Sequence, residues 1–304
     1  MEFQKPILKW CGSKSQIINN VMDRFPSEMN NYYEPFLGGA SILLALLVYK
    51  NTGKIKINGT IYANDLNANL INMYKNIQSD PDGIINHLHQ LIREFQQCRD
   101  ETPPNRHPIN LNEALSSKES YYYWTRSVFN KMSENEKKTV DGSAFLIFLN
   151  KTCFRGVYRE GPNGFNVPYG NNKNPSILNE KNIRNVSLLI QPVIFSNQSF
   201  EHVLANVQKN DFCYIDPPYA PENDTSFVSY TSSGFHLNDH RTLFGLCDKL
   251  TEKGIKFLLS NSDVALVRNA FPATQYETTI ISCRRAIHSK KPESRTNEVL
   301  IMPR

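Results

Sequence analysis

Short strand-like runs alternate with helical patterns at both ends of this chain, and this alternation limits its fold most. The strand-like runs stand at residues 32–36, 60–63, 193–195, 212–215 and 256–259, and the helical patterns at residues 40–49, 201–207 and 240–250. Short continuous apolar runs are typical of parallel strands that are buried on both faces. Strands that alternate with helices predict an α/β fold with a mainly parallel sheet.

Residues 70–183 interrupt this alternation with a polar and aromatic stretch. The periodicity predicts helices around residues 70–98 and 118–131. A Pro-Asn-Gly turn between two short aromatic or β-branched runs predicts a hairpin over residues 156–169. This stretch is therefore predicted to be a mainly helical domain that bears a β-hairpin.

The stretches on either side, residues 1–69 and 184–304, are predicted to form one sheet domain around this insertion.

No apolar run reaches the ~18 residues of a membrane helix and no signal peptide is visible, so we expect an intracellular protein without a membrane span. The six cysteines form neither a CxxC pair nor a cluster at metal spacing, so we expect no metal site. The formal charge of +5 fits a polyanion partner, but many proteins without one are equally basic.

A glycine turn follows the first strand, where FLGGA at residues 36–40 ends the strand and opens a helix. Glycines at such a point let the backbone approach a ligand closely, although a Gly-Gly turn is also an ordinary structural feature. Asp65 follows the second strand, where an acidic side chain can accept hydrogen bonds from a ribose diol in nucleotide-binding folds. Asp65 can equally cap a helix over residues 66–74, and the two roles can coexist.

The sequence Asp216-Pro217-Pro218-Tyr219 follows a predicted strand, at the edge where open α/β sheets bind ligands. Its prolines fix a rigid, extended backbone. The exocyclic amine of adenine is a poor nucleophile, and two acceptors, the Asp216 carboxylate and the Pro217 carbonyl, would draw its nitrogen towards tetrahedral geometry while Tyr219 stacks on the base. The motif indicates methyl transfer to such an amine; the alternative interpretation is a structural turn that contains Pro-Pro.

Segments along nearly the whole chain resemble the Dam-like, or D12-class, adenine-specific DNA methyltransferases. They are LKWCGSK at residues 8–14, YEPFLGG at residues 33–39, Asn64-Asp65, FNVPYG at residues 165–170, the motif at residues 216–219, and LSNS at residues 259–262. The resemblance implies a Rossmann-like S-adenosylmethionine-dependent methyltransferase sheet with an inserted target-recognition domain. It also implies S-adenosyl-L-methionine as cofactor, S-adenosyl-L-homocysteine as product, and double-stranded DNA whose flipped adenine is methylated at N6 by direct in-line transfer.

The resemblance also assigns residues to the cofactor. It implies that Trp10 and Lys14 contact S-adenosylmethionine, that Asp65 holds its ribose, and that Phe200 lies beside its adenine. The predicted cofactor set is Trp10, Lys14, Phe36, Gly38, Gly39, Ala40, Asp65, Ser199, Phe200 and Asp216, and the predicted catalytic set is Asp216, Pro217, Pro218 and Tyr219. Without the resemblance, Trp10 and Phe200 are interpreted as core aromatics and Lys14 as a solvated charge.

Target reading falls to the hairpin region, where basic residues flank the aromatic residues Tyr158, Phe165 and Tyr169. Arginines at a hairpin tip can pair bidentately with guanine, and each such pair discriminates against a wrong base by ~1–3 kcal/mol. The alternative interpretation is that these arginines are ordinary surface charges. The resemblance makes Arg159 the base reader, and it places Lys9 against the target from the cofactor side. The predicted DNA-binding set is Lys9, Arg155, Val157, Arg159, Asn166, Pro168, Tyr169 and Lys173.

Two departures from the family pattern leave the target sequence open. Dam-type members often have Asn where this chain has Arg155, and an Arg-Tyr pair where it has Asn171-Asn172. The implied target is GATC or a related short palindrome.

A C-terminal basic cluster comprises Arg284, Arg285, Lys290, Lys291 and Arg295. This cluster is interpreted either as a loop that contacts phosphates or as a solvated loop.

Other functions stay open as alternatives. Methylation of cytosine N4 or of a glutamine amide is disfavoured, because those families favour Ser-Pro-Pro-Tyr or Asn-Pro-Pro-Tyr, whereas RNA adenine is not excluded. A DNA-binding relative without catalysis is a further alternative, against which the intact Asp65, Asp216 and Tyr219 argue. A cognate restriction endonuclease is a candidate partner, and we expect a monomer or a weak dimer.

Overall fold

The structure is a computed structural model that describes residues 3–221, 234–284 and 295–304. The chain divides into two compact units, each built from two segments. The helical unit comprises Met1–Cys11 and Asn67–Gln191, and the sheet unit comprises Gly12–Leu66 and Pro192–Arg304. The N-terminal segment up to Cys11 thus belongs to the helical unit, whereas the sequence places it with the sheet.

The strands and helices of the described residues are numbered in chain order. The strands are β1 (Glu28–Met29), β2 (Tyr32–Glu34), β3 (Lys56–Ile57), β4 (Ile61–Asn64), β5 (Glu160–Gly161), β6 (Gly164–Phe165), β7 (Val193–Ser196), β8 (Phe212–Ile215), β9 (Lys256–Ser262), β10 (Tyr276–Arg284) and β11 (Arg295–Pro303). The helices are α1 (Ile18–Met22), α2 (Ser41–Asn51), α3 (Ala68–Ser79), α4 (Pro81–Gln96), α5 (Leu111–Ala114), α6 (Lys118–Lys131), α7 (Glu134–Lys137), α8 (Val140–Thr152), α9 (Glu180–Leu189), α10 (Phe200–Ala205), α11 (Leu237–Glu252) and α12 (Ala265–Ala270).

The main sheet of the sheet unit has the strand order β10-β11-β9-β8-β2-β4-β7 within the described residues. From β9 to β7 all neighbours are parallel, while β11 runs antiparallel to both β9 and β10. The predicted mixture of strands and helices is confirmed as an α/β fold. The sequence does not predict the antiparallel pair, because the polar Thr and Ser residues of β10 break up any continuous apolar run.

Burial on both faces explains why the central strands form where they do. Every residue of β8 is buried, and so are Phe257, Leu258 and Leu259 of β9. Each fully buried large apolar side chain stabilises the fold by about 1.5–3 kcal/mol relative to an exposed one. The central strands are therefore the rigid base that holds the loops at their carboxyl ends.

The helical unit differs from its prediction in two respects. The predicted helix over residues 70–98 is two helices, α3 and α4, because the Asp80 side chain accepts from the Gly83 N–H at 2.8 Å and Pro81 begins the second helix. Helix α6 spans the predicted residues, but the sequence does not predict α8. Helix α8 is buried on nearly all sides, so it lacks the amphipathic periodicity that identifies a surface helix.

The predicted hairpin over residues 156–169 is confined to a shorter segment. Strands β5 and β6 pair antiparallel around the Pro-Asn turn. Outside them the chain is tied by isolated backbone bonds: the Phe154 N–H donates to Pro168 O at 2.9 Å, and the Gly170 N–H donates to Thr152 O at 2.9 Å.

Most of the predicted basic cluster lies outside the described residues, namely Arg285, Lys290, Lys291 and the side chains of Arg284 and Arg295. Within the described ranges, none of the helices combines the length and the apolar character that a membrane crossing requires. The same ranges contain no group of three or more His, Cys, Asp or Glu side chains arranged to hold a metal ion.

Candidate active site

The strand order of the main sheet reverses beside β2. From β2 the chain runs outward to β4 and β7 on one side, and it then returns to β8 and β9 on the other. Open α/β sheets bind ligands in the crevice at the carboxyl ends of the strands where this reversal occurs. The loop that starts at Pro35 and the loop that starts at Asp216 both leave the sheet at this edge.

Lys14, Asp216 and Tyr219 form a charged cluster at this edge. The Lys14 Nζ lies 2.8 Å from Asp216 Oδ1 and 4.7 Å from the centroid of the Tyr219 ring, and it donates to Gly12 O at 2.7 Å. Only 3% of Lys14 is exposed, so it is not a solvated charge. Burial raises the pKa of Asp216 to about 6, and the adjacent Lys14 ammonium opposes the rise. The cluster therefore presents a mostly ionised carboxylate at neutral pH.

The glycine turn after β2 is tied to Asp65 after β4. The Gly38 N–H donates to Asp65 Oδ2 at 2.9 Å, and Gly38 has a φ of 49°, which favours glycine. Ala40, at the start of α2, also has a positive φ, of 61°. The N-cap role considered for Asp65 is wrong, because the Asn67 side chain caps α3 by accepting from the Leu70 N–H at 3.0 Å.

Three phenylalanine rings pack together within the sheet unit. Phe36 and Phe200 are stacked with ring centroids 5.4 Å apart, and the Phe235 ring lies 5.9 Å from Phe36 and 5.8 Å from Phe200. Ser199 caps α10, where its hydroxyl accepts from the His202 N–H at 3.4 Å. The structure thus brings together the two predicted cofactor phenylalanines and adds a third ring.

A further carboxyl group, Glu34, is buried at the end of β2 with 2% of its surface exposed. Burial raises its pKa to about 8; the hydrogen bond from the Tyr32 hydroxyl, at 2.7 Å, opposes the rise, and the charges of Asp216 and Asp65 add to it. At neutral pH Glu34 is therefore mostly a protonated acid. Glu34 and Asp216 thus differ in protonation state at neutral pH.

The loop after β8 is held by residues of β9 and β11. The Ala220 N–H donates to Asn261 Oδ1 at 3.0 Å, and the Ser262 hydroxyl donates to Ala220 O at 2.6 Å. The Tyr219 hydroxyl donates to Glu298 Oε2 at 2.7 Å. The LSNS segment therefore fixes the backbone that follows the Asp-Pro-Pro-Tyr motif.

In the helical unit, Asn150 at the end of α8 joins the N-terminal segment to the hairpin region. Its Oδ1 accepts from the Lys9 N–H at 2.8 Å, and its Nδ2 donates to Lys9 O at 2.9 Å and to Gly156 O at 3.1 Å. A Cβ on Gly156, whose φ is +67°, would stand 2.5 Å from Lys9 Cδ, so glycine permits this close packing. The next residue, Trp10, stacks on Tyr158 with ring centroids 5.3 Å apart.

The predicted DNA-binding residues of the hairpin region have different surroundings. Arg159 Nε donates to Asn166 Oδ1 at 2.6 Å, so these two exposed residues pair with each other. Arg155 has a φ of 57°, and its guanidinium lies 5.2 Å from the centroid of the Phe154 ring. The exposed members of the remaining set are Pro168 and Lys173, and the half-buried members are Val157 and Tyr169.

Comparison with known proteins identifies the family. Residues 10–283 match the sequence model of the D12 class N6 adenine-specific DNA methyltransferases. This chain belongs to that family. The predicted family is thereby confirmed, and the chain is an adenine-specific DNA methyltransferase.

Named relatives of this D12-class methyltransferase align over most of both chains. Type II methyltransferase M.MjaIII of Methanocaldococcus jannaschii is 39% identical over 265 residues, which cover 85% of this chain and 84% of the relative. Type II methyltransferase M1.LlaDCHI of Lactococcus lactis subsp. cremoris is 30% identical over 271 residues, which cover 88% and 84%. The DNA adenine methylase of Haemophilus influenzae is 28% identical over 294 residues, which cover 96% and 90%.

Within this D12-class methyltransferase, the predicted cofactor and catalytic residues other than Trp10 belong to the sheet unit. Trp10 and the predicted DNA-binding residues belong to the helical unit. The sequence analysis assigns no role to Glu34, Asn150, Phe235, Asn261 or Glu298, although Glu34 and Asn261 lie in segments that resemble the family. Among the other three, Glu298 has a local signal, since it is an acidic residue placed directly before the buried apolar run at 299–301.

Proposed function

We propose that this chain transfers a methyl group from S-adenosyl-L-methionine to the N6 amine of an adenine in duplex DNA. The observation that carries the proposal is Asp216, a carboxylate directly after β8 that lies 2.8 Å from Lys14 Nζ, which in turn lies 4.7 Å from the centroid of the Tyr219 ring. Family membership supports adenine N6 as the acceptor. We further propose S-adenosylmethionine as the donor, flipping of the target base, and a role for each residue of the site.

The sheet unit offers groups that fit S-adenosylmethionine. We assign Asp65 to the ribose hydroxyls, because its bond to Gly38 holds it at the point where the strand order reverses. Phe36 and Phe200 supply stacked aromatic surface for the adenine of the donor. The assigned set also contains Lys14, Gly38, Gly39, Ala40, Ser199 and Asp216 of this unit and Trp10 of the helical unit. When bound, the donor supplies an electrophilic methyl group on a positively charged sulfur, which suits a site with a buried carboxylate.

Asp216 and Pro217 act on the amine of the target adenine. The Asp216 carboxylate and the Pro217 carbonyl each accept one N–H, which draws the nitrogen lone pair out of conjugation with the ring. Pro218 stiffens the loop that presents them. Holding amine and methyl group at near-attack distance lowers the barrier by ~7–11 kcal/mol in favourable cases. Asp216 then holds the proton that the amine loses, and a pKa near 6 suits this task.

Tyr219 serves as the platform for the flipped adenine. Chemistry on a base inside a duplex requires its extrusion, which costs on the order of a few kcal/mol. Stacking of a base on an aromatic side chain returns ~1–3 kcal/mol. The Lys14 ammonium group lies next to both the Tyr219 ring and the Asp216 carboxylate. An adenine stacked on Tyr219 would therefore present its amine near the Asp216 carboxylate and the Pro217 carbonyl.

We assign target recognition to the inserted helical unit, which extends the predicted domain of residues 70–183 to Asn67–Gln191 and adds the segment up to Cys11. Arg159 is the proposed base reader, and its bond to Asn166 orients the guanidinium. Lys9 is held beside Gly156 by Asn150. The assigned DNA set also contains Arg155, Val157, Pro168, Tyr169 and Lys173. The target is proposed to be GATC or a related short palindrome.

A cognate restriction endonuclease is the proposed functional partner. Two of the relatives are named type II methyltransferases, a name that places them with type II restriction enzymes. A partner endonuclease would cleave the same short site when this chain has not modified it. We further propose that the chain acts as a monomer or a weak dimer.

Methyl transfer from labelled S-adenosylmethionine tests the proposal. Unmethylated duplex DNA and RNA of the same sequence are offered separately, and nucleosides are resolved by mass spectrometry. N6-methyladenine in the DNA supports the proposal, label in RNA alone favours the RNA alternative, and absence of both transfer and donor binding removes it. Asp216→Ala is expected to lose at least about 100-fold in rate, while the exposed Asp23→Ala serves as the matched control.

A further inference from the structure

The carboxylate of Glu298 accepts a hydrogen bond from the active-site tyrosine. The Tyr219 hydroxyl lies 2.7 Å from Glu298 Oε2. Glu298 stands on β11, opposite Ser262 of β9 and Ile281 of β10, so its backbone is held by strands on both sides. The backbone that carries the acceptor is therefore held by the sheet.

We infer that Glu298 is a positioning residue that sets the orientation of the Tyr219 ring for the target adenine. This inference rests on the proposed function, in which Tyr219 carries the flipped base. In this role Glu298 acts through Tyr219 and contacts neither S-adenosylmethionine nor the target adenine.

The surroundings of Tyr219 restrict its ring from several directions. The Lys14 Nζ lies 4.7 Å from the ring centroid, and the hydroxyl at the far end of the ring is bound by Glu298. Asn261 and Ser262 bind the backbone of the next residue, Ala220. The backbone next to Tyr219 and the hydroxyl at the tip of its side chain are thus both anchored. The ring plane is therefore preorganised before the adenine binds.

Preorganisation of this kind affects the rate in a predictable way. A tyrosine that rotates freely must lose side-chain entropy when the base stacks on it, and a misplaced base sits outside near-attack distance. Hydrogen bonds to charged groups are among the stronger ones in proteins. Removal of the Glu298 acceptor is therefore expected to lower kcat by about 10- to 100-fold.

The negative charge of Glu298 is a second property that a substitution to alanine removes. This charge contributes to the raised pKa of Asp216, and burial together with Glu298 raises the pKa of Cys283 to about 11. Glutamine separates the two properties, because its amide oxygen still accepts the tyrosine hydrogen bond while the charge is gone. Positioning predicts that Glu298→Gln rescues most of the rate lost in Glu298→Ala.

A double-mutant cycle tests the inference with Tyr219→Phe, Glu298→Ala and the double variant on unmethylated duplex DNA. Each single variant is expected to lose about 10- to 100-fold in kcat with less than about threefold change in the KM for S-adenosylmethionine. The double variant is expected to lose about as much as the slower of the two single variants, because both substitutions remove the same Tyr219–Glu298 hydrogen bond. Glu277→Ala, an exposed carboxylate on the neighbouring β10, is the matched control.

A spectroscopic signature complements the kinetics. With 2-aminopurine in place of the target adenine, stacking of the extruded base on Tyr219 quenches its fluorescence, so Tyr219→Phe and Glu298→Ala are expected to brighten the bound base equally. Losses that multiply in the double variant, or Glu298→Gln as slow as Glu298→Ala, would overturn the positioning role. Inactive wild-type protein on every DNA would instead remove the proposed function, so the two failures are distinguishable.

Discussion

Lys14 Nζ and Asp216 Oδ1 lie 2.8 Å apart, although the two residues come from different segments of the sheet unit. The lysine is buried and donates to Gly12 O as well, so its ammonium group is held in place and stays close to the carboxylate. Burial alone would favour a protonated Asp216. The ion pair with Lys14 therefore sets the pH above which the carboxylate can accept an N–H from the adenine amine.

Replacement of Lys14 by methionine is expected to move the acid limb of the pH–rate profile to higher pH. In the wild type the rate falls as the pH drops through the Asp216 pKa near 6, because the protonated acid no longer accepts an N–H. The variant lacks the charge that opposes the rise, so its limb lies above that of the wild type, and its relative rate improves as the pH increases.

The measurement is kcat/KM for methyl transfer between about pH 5 and pH 9. Lys56→Met, which removes an exposed lysine paired with Glu28 at 2.9 Å in the same unit, is the matched control and is expected to leave the limb in place. An unshifted limb in Lys14→Met would show that the ion pair does not govern the ionisation of Asp216.

Asp65→Ala is expected to weaken binding of S-adenosylmethionine by about 10- to 100-fold, because it removes a charged acceptor for the ribose. Asp65→Asn keeps an oxygen for the Gly38 N–H and is expected to lose less. Titration calorimetry measures both dissociation constants directly. Equal affinity in the alanine variant and the wild type would assign Asp65 to the glycine turn alone.

The sequence predicts the residues of the sheet edge well, because that edge follows from local patterns. Apolar runs fix where the parallel strands end, and the chain must leave the sheet at each end. Residues directly after β2, β4 and β8 are therefore identified by counting along the chain, and Asp216 is one of them.

The rest of the site depends on packing that has no local pattern. The sequence does not predict the antiparallel strands, so it cannot place Glu298 of β11 beside Tyr219. Lys14 looks like a solvated charge without its family context, since nothing near it in sequence indicates burial. Asp65 and Asn67 are equally good helix caps by composition, and only the backbone geometry decides for Asn67.

Arg159→Ala is expected to relax discrimination at one base pair of the target by ~1–3 kcal/mol, since a bidentate contact is lost. Asn166→Ala is expected to have a smaller effect of the same kind, because it releases the guanidinium from its orienting bond. Competition among duplexes with single mismatches measures the preference. Arg93→Ala, at an exposed position of α4, is the control, and an unchanged preference in Arg159→Ala would exclude this residue from base reading.

Glu34→Gln is expected to flatten the pH dependence of stability. The folded-state pKa of Glu34 is about 8, above the ordinary value of 4.5, so between these values the folded chain keeps a proton that the unfolded chain has lost. The free energy of unfolding then falls as the pH rises through this window, by up to about 1.4 kcal/mol per pH unit. Glutamine does not titrate, and its oxygen can still accept from the Tyr32 hydroxyl.

Urea unfolding midpoints at about pH 5 and pH 8 measure this effect. The stability of Glu34→Gln relative to the wild type is expected to be higher at pH 8 than at pH 5, whereas Glu252→Gln, at an exposed end of α11, is expected to track the wild type at both. Parallel curves for Glu34→Gln and the wild type would mean that Glu34 is ionised in the folded chain. The negative charge of Glu34 would then raise the pKa of Asp216. The acid limb of the pH–rate profile for methyl transfer would therefore lie at higher pH than in Glu34→Gln.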